Sequence, residues 1–326
     1  PEDLDADPWA LCTPAGTVDL KIGKVLESTR EHYCTKSTLV APQEGECPHW
    51  LALVDRIARG DESMRAYIAR WCGYLLTGET REESLLFLHG PAQSGKSTFV
   101  RVLSEIMGDY ARTSNMEAFT ARERPEHSTE IAKLAGARLV TASETDAGSR
   151  WNEQRIKVLT GRDRIAARFM RMDEFEFMPT FKLLIYGNHR PSLKTVGKEY
   201  SRRFHLLEFP PSIADEEKDD RLDEKLRAEY PAILHWCIQG TLAWQDCGLG
   251  KPERVVLDTD SYLQAMDVIG AWIDECLELT QGISTQVSEL YKSYCGFVKE
   301  RGEYEPSMRR FSEDLEPKNI VHKKKT

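Results

Sequence analysis

The 326-residue chain has no apolar run approaching the ~18 residues of a membrane-spanning helix, and no signal-like segment opens it. The expectation is therefore a soluble, intracellular, cytoplasmic protein without a membrane partner. None of the eight cysteines forms a Cys-x-x-C pair, which argues against a zinc ribbon or a disulfide framework and favours reduced, mostly buried thiols. His32, Cys34, Cys47 and His49 could offer four ligands, but at a spacing that matches no zinc pattern. Positive charge is not in surplus either. With 44 basic and 53 acidic residues the net charge is −9, so the field of the whole molecule repels a polyanion, and any nucleic-acid contact has to come from local basic patches. An initiator Met is missing as well: residue 1 is Pro1, and residues 1–8 are acidic and lack periodicity. The expectation is a piece of a longer chain with a domain upstream.

What is present is a core-forming chain, 40% hydrophobic and long enough for two or three domains. Its strongest local signal is Gly90-Pro91-Ala92-Gln93-Ser94-Gly95-Lys96-Ser97-Thr98, preceded by the apolar run Leu85-Leu86-Phe87-Leu88. This is the P-loop pattern in its strand-loop-helix setting. Gly90 and Gly95 let successive amides turn inward towards an anion, and the phosphates of ATP would sit on the positive end of the following helix. Lys96 is placed for the β- and γ-phosphates and Ser97 for Mg²⁺. Phe99, Val102, Leu103, Ile106 and Met107 recur at helical spacing and bury one face of that helix.

Before the P-loop, residues 1–50 suit loops and a small strand or two. Trp50, Leu53, Val54 and Ile57, then Met64, Ile68, Trp71 and Leu75, predict two helices broken near Gly60-Asp61. Both tryptophans fit a helical core better than base stacking. After it, Arg122, Arg124 and Pro125 fall in a polar loop. The run Leu139-Val140-Thr141-Ala142-Ser143 reads as a buried strand ending on Glu144, with Asp146 two residues on. An acid at that position in a P-loop enzyme holds Mg²⁺ or orients water.

Residues 151–161 read as a helix with Lys157 outward. Residues 165–177 read as a hairpin carrying Arg168 and Arg171, a basic tip suited to phosphate contact without sequence readout. Phe181-Lys182-Leu183-Leu184-Ile185-Tyr186 is a further buried strand and delivers Asn188, whose amide can bond a γ-phosphate or an attacking water. Arg202 and Arg203 precede the next strand, where a guanidinium presented to a neighbouring subunit's triphosphate would stabilise phosphoryl transfer. Beyond Pro210-Pro211, residues 215–229 predict a solvated helix, and Ile233, Trp236, Cys237 and Trp244 a second one. Further helices are expected around 258–280 and 284–301, followed by the basic stretch Met308-Arg309-Arg310-Phe311.

In their order and spacing these motifs resemble the superfamily 3 DNA helicases, specifically the phage and plasmid primase-helicases with their poxvirus-like relatives. The resemblance runs through the P-loop, Leu139 to Thr145, Lys157-Val158-Leu159-Thr160-Gly161-Arg162-Asp163, Pro179-Thr180-Phe181-Lys182, Gly187-Asn188-His189-Arg190-Pro191 and Arg202-Arg203. It extends upstream to Asp7-Pro8 and Gly16-Thr17-Val18-Asp19-Leu20, and downstream to Ser284-Thr285, Leu290-Tyr291, Tyr294, Gly302 and Phe311.

The resemblance implies an α/β fold with an AAA+-type P-loop core over 79–210, a helical pre-ATPase region over 1–78, a helical lid over 211–254 and a winged-helix-like segment over 255–326. It implies a homo-hexameric ring around single-stranded DNA in a bacterial host or equivalent compartment, with a primase-polymerase domain upstream. Lys96 and Ser97 would bind phosphate and Mg²⁺, Glu144 would serve metal and water, and Asn188 would act as sensor. Arg202 or Arg203 would be the finger, and Lys157, Arg168 and Arg171 would face the DNA channel, although the acids Asp173 and Glu174 in the hairpin turn depart from a purely basic tip. Two other readings share the P-loop: a small-molecule kinase, and an ATP-loaded DNA-binding module that barely hydrolyses.

Overall fold

The computed structural model describes residues 4–121, 129–143, 150–193, 198–278, 280, 284–301, 305–315, 318 and 320. Arg122, Arg124, Pro125, Glu144, Asp146, Gly302 and residues 322–325 lie outside them. The chain divides into two units, Pro1–Ser192 with Glu199–Thr259, and Leu193–Lys198 with Asp260–Thr326.

The first unit opens with an antiparallel meander of β1 (Ala10–Thr13), β2 (Gly16–Asp19) and β3 (Lys24–Leu26). Gly16 is required at its turn: φ is +144°, and a Cβ there would lie 2.4 Å from the carbonyl oxygen of Leu26. The third strand exceeds the sequence expectation. All three of its residues are exposed, so no apolar alternation announces it. Next come α1 (Pro48–Ala58) and α2 (Glu62–Leu76). They break where the sequence predicts, because Arg59 and Gly60 take φ of 55° and 78°. Asp61 then caps α2, its carboxylate accepting from the amides of Ser63 at 2.8 Å and Met64 at 3.3 Å. Trp50 and Trp71 are both buried, and Trp50 stacks on Phe99 at 5.1 Å.

The chain continues through β4 (Leu85–His89), α3 (Lys96–Met107), β5 (Ala111–Thr113), α4 (Thr129–Ala132), β6 (Leu139–Ser143), α5 (Glu153–Leu159), the hairpin β7 (Ile165–Ala167) and β8 (Phe175–Phe177), β9 (Lys182–Gly187), α6 (Lys198–Arg203) and β10 (Phe204–Glu208). Five of these strands form one sheet in the order β10-β4-β9-β6-β5, with every neighbouring pair parallel. A parallel sheet is covered on both faces, which is why β4, β6 and β9 read as near-continuous apolar runs. The edge strand β5, Ala-Arg-Thr, carries no such run and is not predicted from sequence.

The two helices expected after residue 215 are one, α7 (Leu222–Cys247), which continues through Pro231. The proline removes one intrahelical donor, and burial against α2 outweighs that loss. Where α7 crosses α2, Gly73 faces Gly240, and a Cβ on Gly240 would sit 2.1 Å from the carbonyl oxygen of Ala69. Then follows α8 (Glu253–Met266).

The described part of the second unit is helical, with α9 (Val268–Cys276), α10 (Val287–Glu300) and α11 (Met308–Leu315) around Trp272, Tyr294 and Phe311. Phe311 meets the other two rings at 5.5 and 5.1 Å. Among its described residues there is no strand to form the wing that the resemblance implies. No helix of the described residues is long and apolar enough to cross a membrane.

Candidate functional site

The loop from Gly90 to Thr98 leaves β4 at the carboxyl edge of the parallel sheet and enters α3 at Lys96. Positive φ at Gly90 (153°), Gln93 (58°) and Gly95 (99°) turns the chain back on itself. Gly90 has no room for a side chain, since a Cβ would meet Phe209 Cβ at 2.9 Å, and at Gly95 the left-handed φ strains any other residue, with Leu53 Cδ1 3.0 Å from a would-be Cβ. Lys96 is buried, and its Nζ donates to the carbonyl oxygens of Gly90 and Pro91, each at 2.7 Å, and to Ser94 Oγ at 3.2 Å. Burial holds its pKa below the ordinary lysine range, with the charge of Glu208 opposing.

Pro91, Ala92, Gln93 and Ser97 are exposed and Thr98 is half-buried. Left-handed backbone, an ammonium group and a hydroxyl at the N-terminus of a 12-residue helix are a donor set fitted to a phosphate chain with a divalent cation.

The loop is also held from behind. Phe209 N donates to His89 O at 2.7 Å, Ser212 Oγ to Ala92 O at 2.7 Å, and Ile213 N to Gln93 O at 2.9 Å. Pro210-Pro211 reads in the sequence as a boundary and carries no local signal of this clamp.

The neighbouring strands bring the other candidates to the same edge. β9 lies beside β4 with Gly187 opposite His89, so Asn188 follows directly and is exposed. β6 lies beside β9 and ends at Ser143 opposite Tyr186. Glu144, the next residue, is outside the described residues, so its side chain has no placement here.

Three residues that carried no role in the sequence reading converge at this edge. His89 Nδ1 lies 2.9 Å from both carboxylate oxygens of Glu208 and 3.3 Å from Arg190 Nε, while an Arg190 terminal nitrogen pairs with Glu208 Oε1. With its proton on Nδ1, His89 donates to Glu208, and its approach to Arg190 Nε is then a juxtaposition rather than a hydrogen bond. Burial pushes the Glu208 carboxyl upward, but hydrogen bonds and charge from His89 and Arg190 outweigh it and hold the group below its ordinary value. Asp258, 3.8 Å from Arg254, is pushed up by burial and by Glu208.

Arg202 and Arg203 sit at the opposite edge, just before β10 begins alongside the start of β4. They differ in use. Arg203 has an 11% exposed side chain, pairs with Glu83 Oε2 at 2.6 Å and reaches Thr160 Oγ1 at 3.2 Å. Arg202 is 71% exposed and touches Glu83 only at 3.2 Å.

On α5, the β7–β8 hairpin and the loop between them, Lys157, Arg168 and Arg171 are all exposed, as are Arg162 and Arg164. Arg171 has φ of 63°. Phe169 stacks on Phe175 at 5.8 Å, and Met170 and Met172 are exposed in the same loop. The possible zinc ligands are otherwise engaged: His49 bonds Glu229 and the Cys34 thiol donates to His32 O at 3.5 Å. Among the described residues no group of three or more His, Cys, Asp or Glu side chains is arranged to hold a metal ion.

Two family models match the chain, one described as D5 N terminal like over residues 1–59, the other as a family of unknown function (DUF5906) over residues 88–203. Curated relatives include a protein named as a "putative helicase" in Acanthamoeba polyphaga mimivirus, 26% identical over 72% of this chain and 26% of its own length. Another, named likewise, is from the Sputnik virophage, 25% identical over 64% of this chain and 29% of its own length. The chain thus spans about a quarter of the curated relatives it matches. Among solved structures, the NrS-1 C-terminal region in its A-form apo state shares the fold with a TM-score of 0.55 at 13% identity, over 87% of this chain and 74% of that one. In its motifs, its D5-type match at the N-terminus and its relatives named as viral helicases, the chain is similar to the phage- and virus-type superfamily 3 primase-helicases.

Proposed function

We propose that the chain is the ATPase part of a replicative DNA helicase, which couples ATP hydrolysis to movement along single-stranded DNA as a hexameric ring of AAA+ type during copying of a phage, plasmid or other mobile element. The observation that carries this reading is the buried Lys96 at the centre of a left-handed glycine loop, with the Asn188 strand end beside it. Helicase names among the viral relatives support the DNA partner.

In this reading the amides of residues 90–95 and the Lys96 ammonium bind the triphosphate, and Ser97 with Glu144 would hold Mg²⁺, which when bound supplies positive charge between the phosphates. Asn188 bonds the terminal phosphate or the attacking water, and Glu144 aligns that water. Arg202, exposed on the opposite edge, is the better placed of the two arginines to reach a neighbouring subunit's nucleotide. Arg203 is committed to Glu83.

Lys157, Arg168 and Arg171 supply phosphate contacts along the strand, independent of sequence. The test is single-stranded DNA binding measured across a salt series in the full chain. Replacing Arg168 and Arg171 together by Ala should weaken binding and flatten the dependence of log K on log salt by about 0.7 per lost contact. An unchanged slope would remove the hairpin from the DNA contact.

A further inference from the structure

Three strand ends meet beside the P-loop with a charge arrangement that phosphate binding alone does not require. His89 closes β4 and is covalently joined to Gly90, Glu208 closes β10, and Arg190 lies three residues beyond the end of β9. Arg190 pairs with Glu208, and the same carboxylate accepts from His89 at 2.9 Å. Glu208 also lies within electrostatic range of Lys96, whose Nζ is bonded to the carbonyl of the residue next to His89. Glu208 is mostly buried, with an 18% exposed side chain. A mostly buried carboxylate within electrostatic range of the P-loop lysine opposes an incoming polyanion unless a cation neutralises it, and here that cation is a guanidinium, whose planar fork suits carboxylate and phosphate alike.

We propose that Arg190 is a phosphate-sensing arginine acting within its own subunit and that Glu208 is its resting counter-ion, so that the terminal phosphate of a bound triphosphate competes with Glu208 for the guanidinium. This rests on the P-loop reading and adds to it a residue that distinguishes triphosphate from diphosphate. The arrangement also has an outlet: Glu208 O accepts from Arg254 at 3.4 Å, and the Glu208 charge bears on Asp258, both on α8. Loosening the Arg190–Glu208 pair therefore alters the electrostatics at the start of that helix.

The test is equilibrium titration of the full chain with ATP and with ADP, without DNA, on the parent protein, Arg190→Ala, Arg190→Lys, Glu208→Gln and the Arg190→Ala/Glu208→Gln pair. Arg190→Ala leaves the carboxylate facing the phosphates and should weaken ATP binding by about tenfold or more, with ADP nearly unmoved. Arg190→Lys should fall between it and the parent. Glu208→Gln removes the competitor and should tighten ATP binding several-fold, and the double variant should bind ATP better than Arg190→Ala alone.

Equal losses for ATP and ADP would show a merely structural role and overturn the proposal. So would weaker ATP binding in Glu208→Gln, which would make the carboxylate a support for Arg190 and not its competitor. Lys96→Ala separates this from the P-loop reading: if the parent binds neither nucleotide, or Lys96→Ala binds both as the parent does, the P-loop reading itself fails and this inference falls with it.

Discussion

The Nζ of Lys96 lies 2.7 Å from the carbonyl oxygen of Gly90, the residue at which the chain leaves β4. One ammonium group thereby ties the two ends of the loop together, in a position where burial already strains its charge. The proposed mechanism places the same group at the β- and γ-phosphates of ATP. Lys96→Ala should therefore lower ATP hydrolysis by about 10²-fold or more, since a preorganised charge at the reacting phosphate contributes on the order of 3–4 kcal/mol to the transition state. Steady-state phosphate release measures this, and a variant that retains parent activity would exclude the loop from catalysis.

Arg202 and Arg203 should separate in experiment. Arg203→Ala strips Glu83 of a mostly buried partner and should cost about 1–3 kcal/mol of stability, seen as a lowered thermal midpoint. Arg202→Ala should leave that midpoint within a degree or two and abolish hydrolysis, because its exposed side chain contributes little to the subunit's own fold. The reverse pattern would give the finger role to Arg203.

The crossing of α2 and α7 offers a stability test remote from the nucleotide site. A Cβ at Gly73 would come within 2.0 Å of the Thr241 amide nitrogen, backbone against backbone, so the helices must part. Gly73→Ala should destabilise by about 1–3 kcal/mol or more. Gly296 in α10 has nothing within 4 Å of its would-be Cβ, and Gly296→Ala should instead stabilise by up to about 1 kcal/mol. Denaturant melts of the two variants decide it.

His205 sets a pH limit on the first unit. It is buried, with Nδ1 2.6 Å from the Tyr67 hydroxyl. Burial, assisted by Lys251 and opposed by a backbone bond to Arg202, holds its pKa well below the ordinary 6.5. The unfolded chain therefore takes up a proton near pH 6.5 that the folded chain refuses, so stability falls as pH drops below about 6.5 and is unaffected by this group above it. His205→Asn should lose that part of the acid sensitivity. Unfolding free energies of parent and variant from pH 5 to 8 would diverge below 6.5 if this is right and run parallel if it is not.

The elements legible in the sequence were those whose burial or caps are written locally. The apolar runs of β4, β6 and β9, the break at Gly60-Asp61 and the glycines of the P-loop each state their structure within a few residues. β3 and β5 were not legible, because short exposed strands owe their form to partners distant in sequence. The split predicted within α7 followed the change from a densely charged stretch to an apolar-periodic one, which the structure carries on a single helix packed on α2. In the site, Lys96 and Asn188 were marked by motif and strand end, whereas Glu208 and His89 are ordinary strand-end residues until the parallel register sets them side by side. The different fates of Arg202 and Arg203 likewise depend on Glu83, some 120 residues earlier in the chain.

The central claim, hydrolysis driven by single-stranded DNA, is tested most directly by measuring ATP turnover at low salt with and without single-stranded DNA, with Lys96→Ala as the blank. The account expects turnover to rise several-fold with DNA and to vanish in the variant. Turnover that is indifferent to DNA, or that survives in Lys96→Ala, would contradict it.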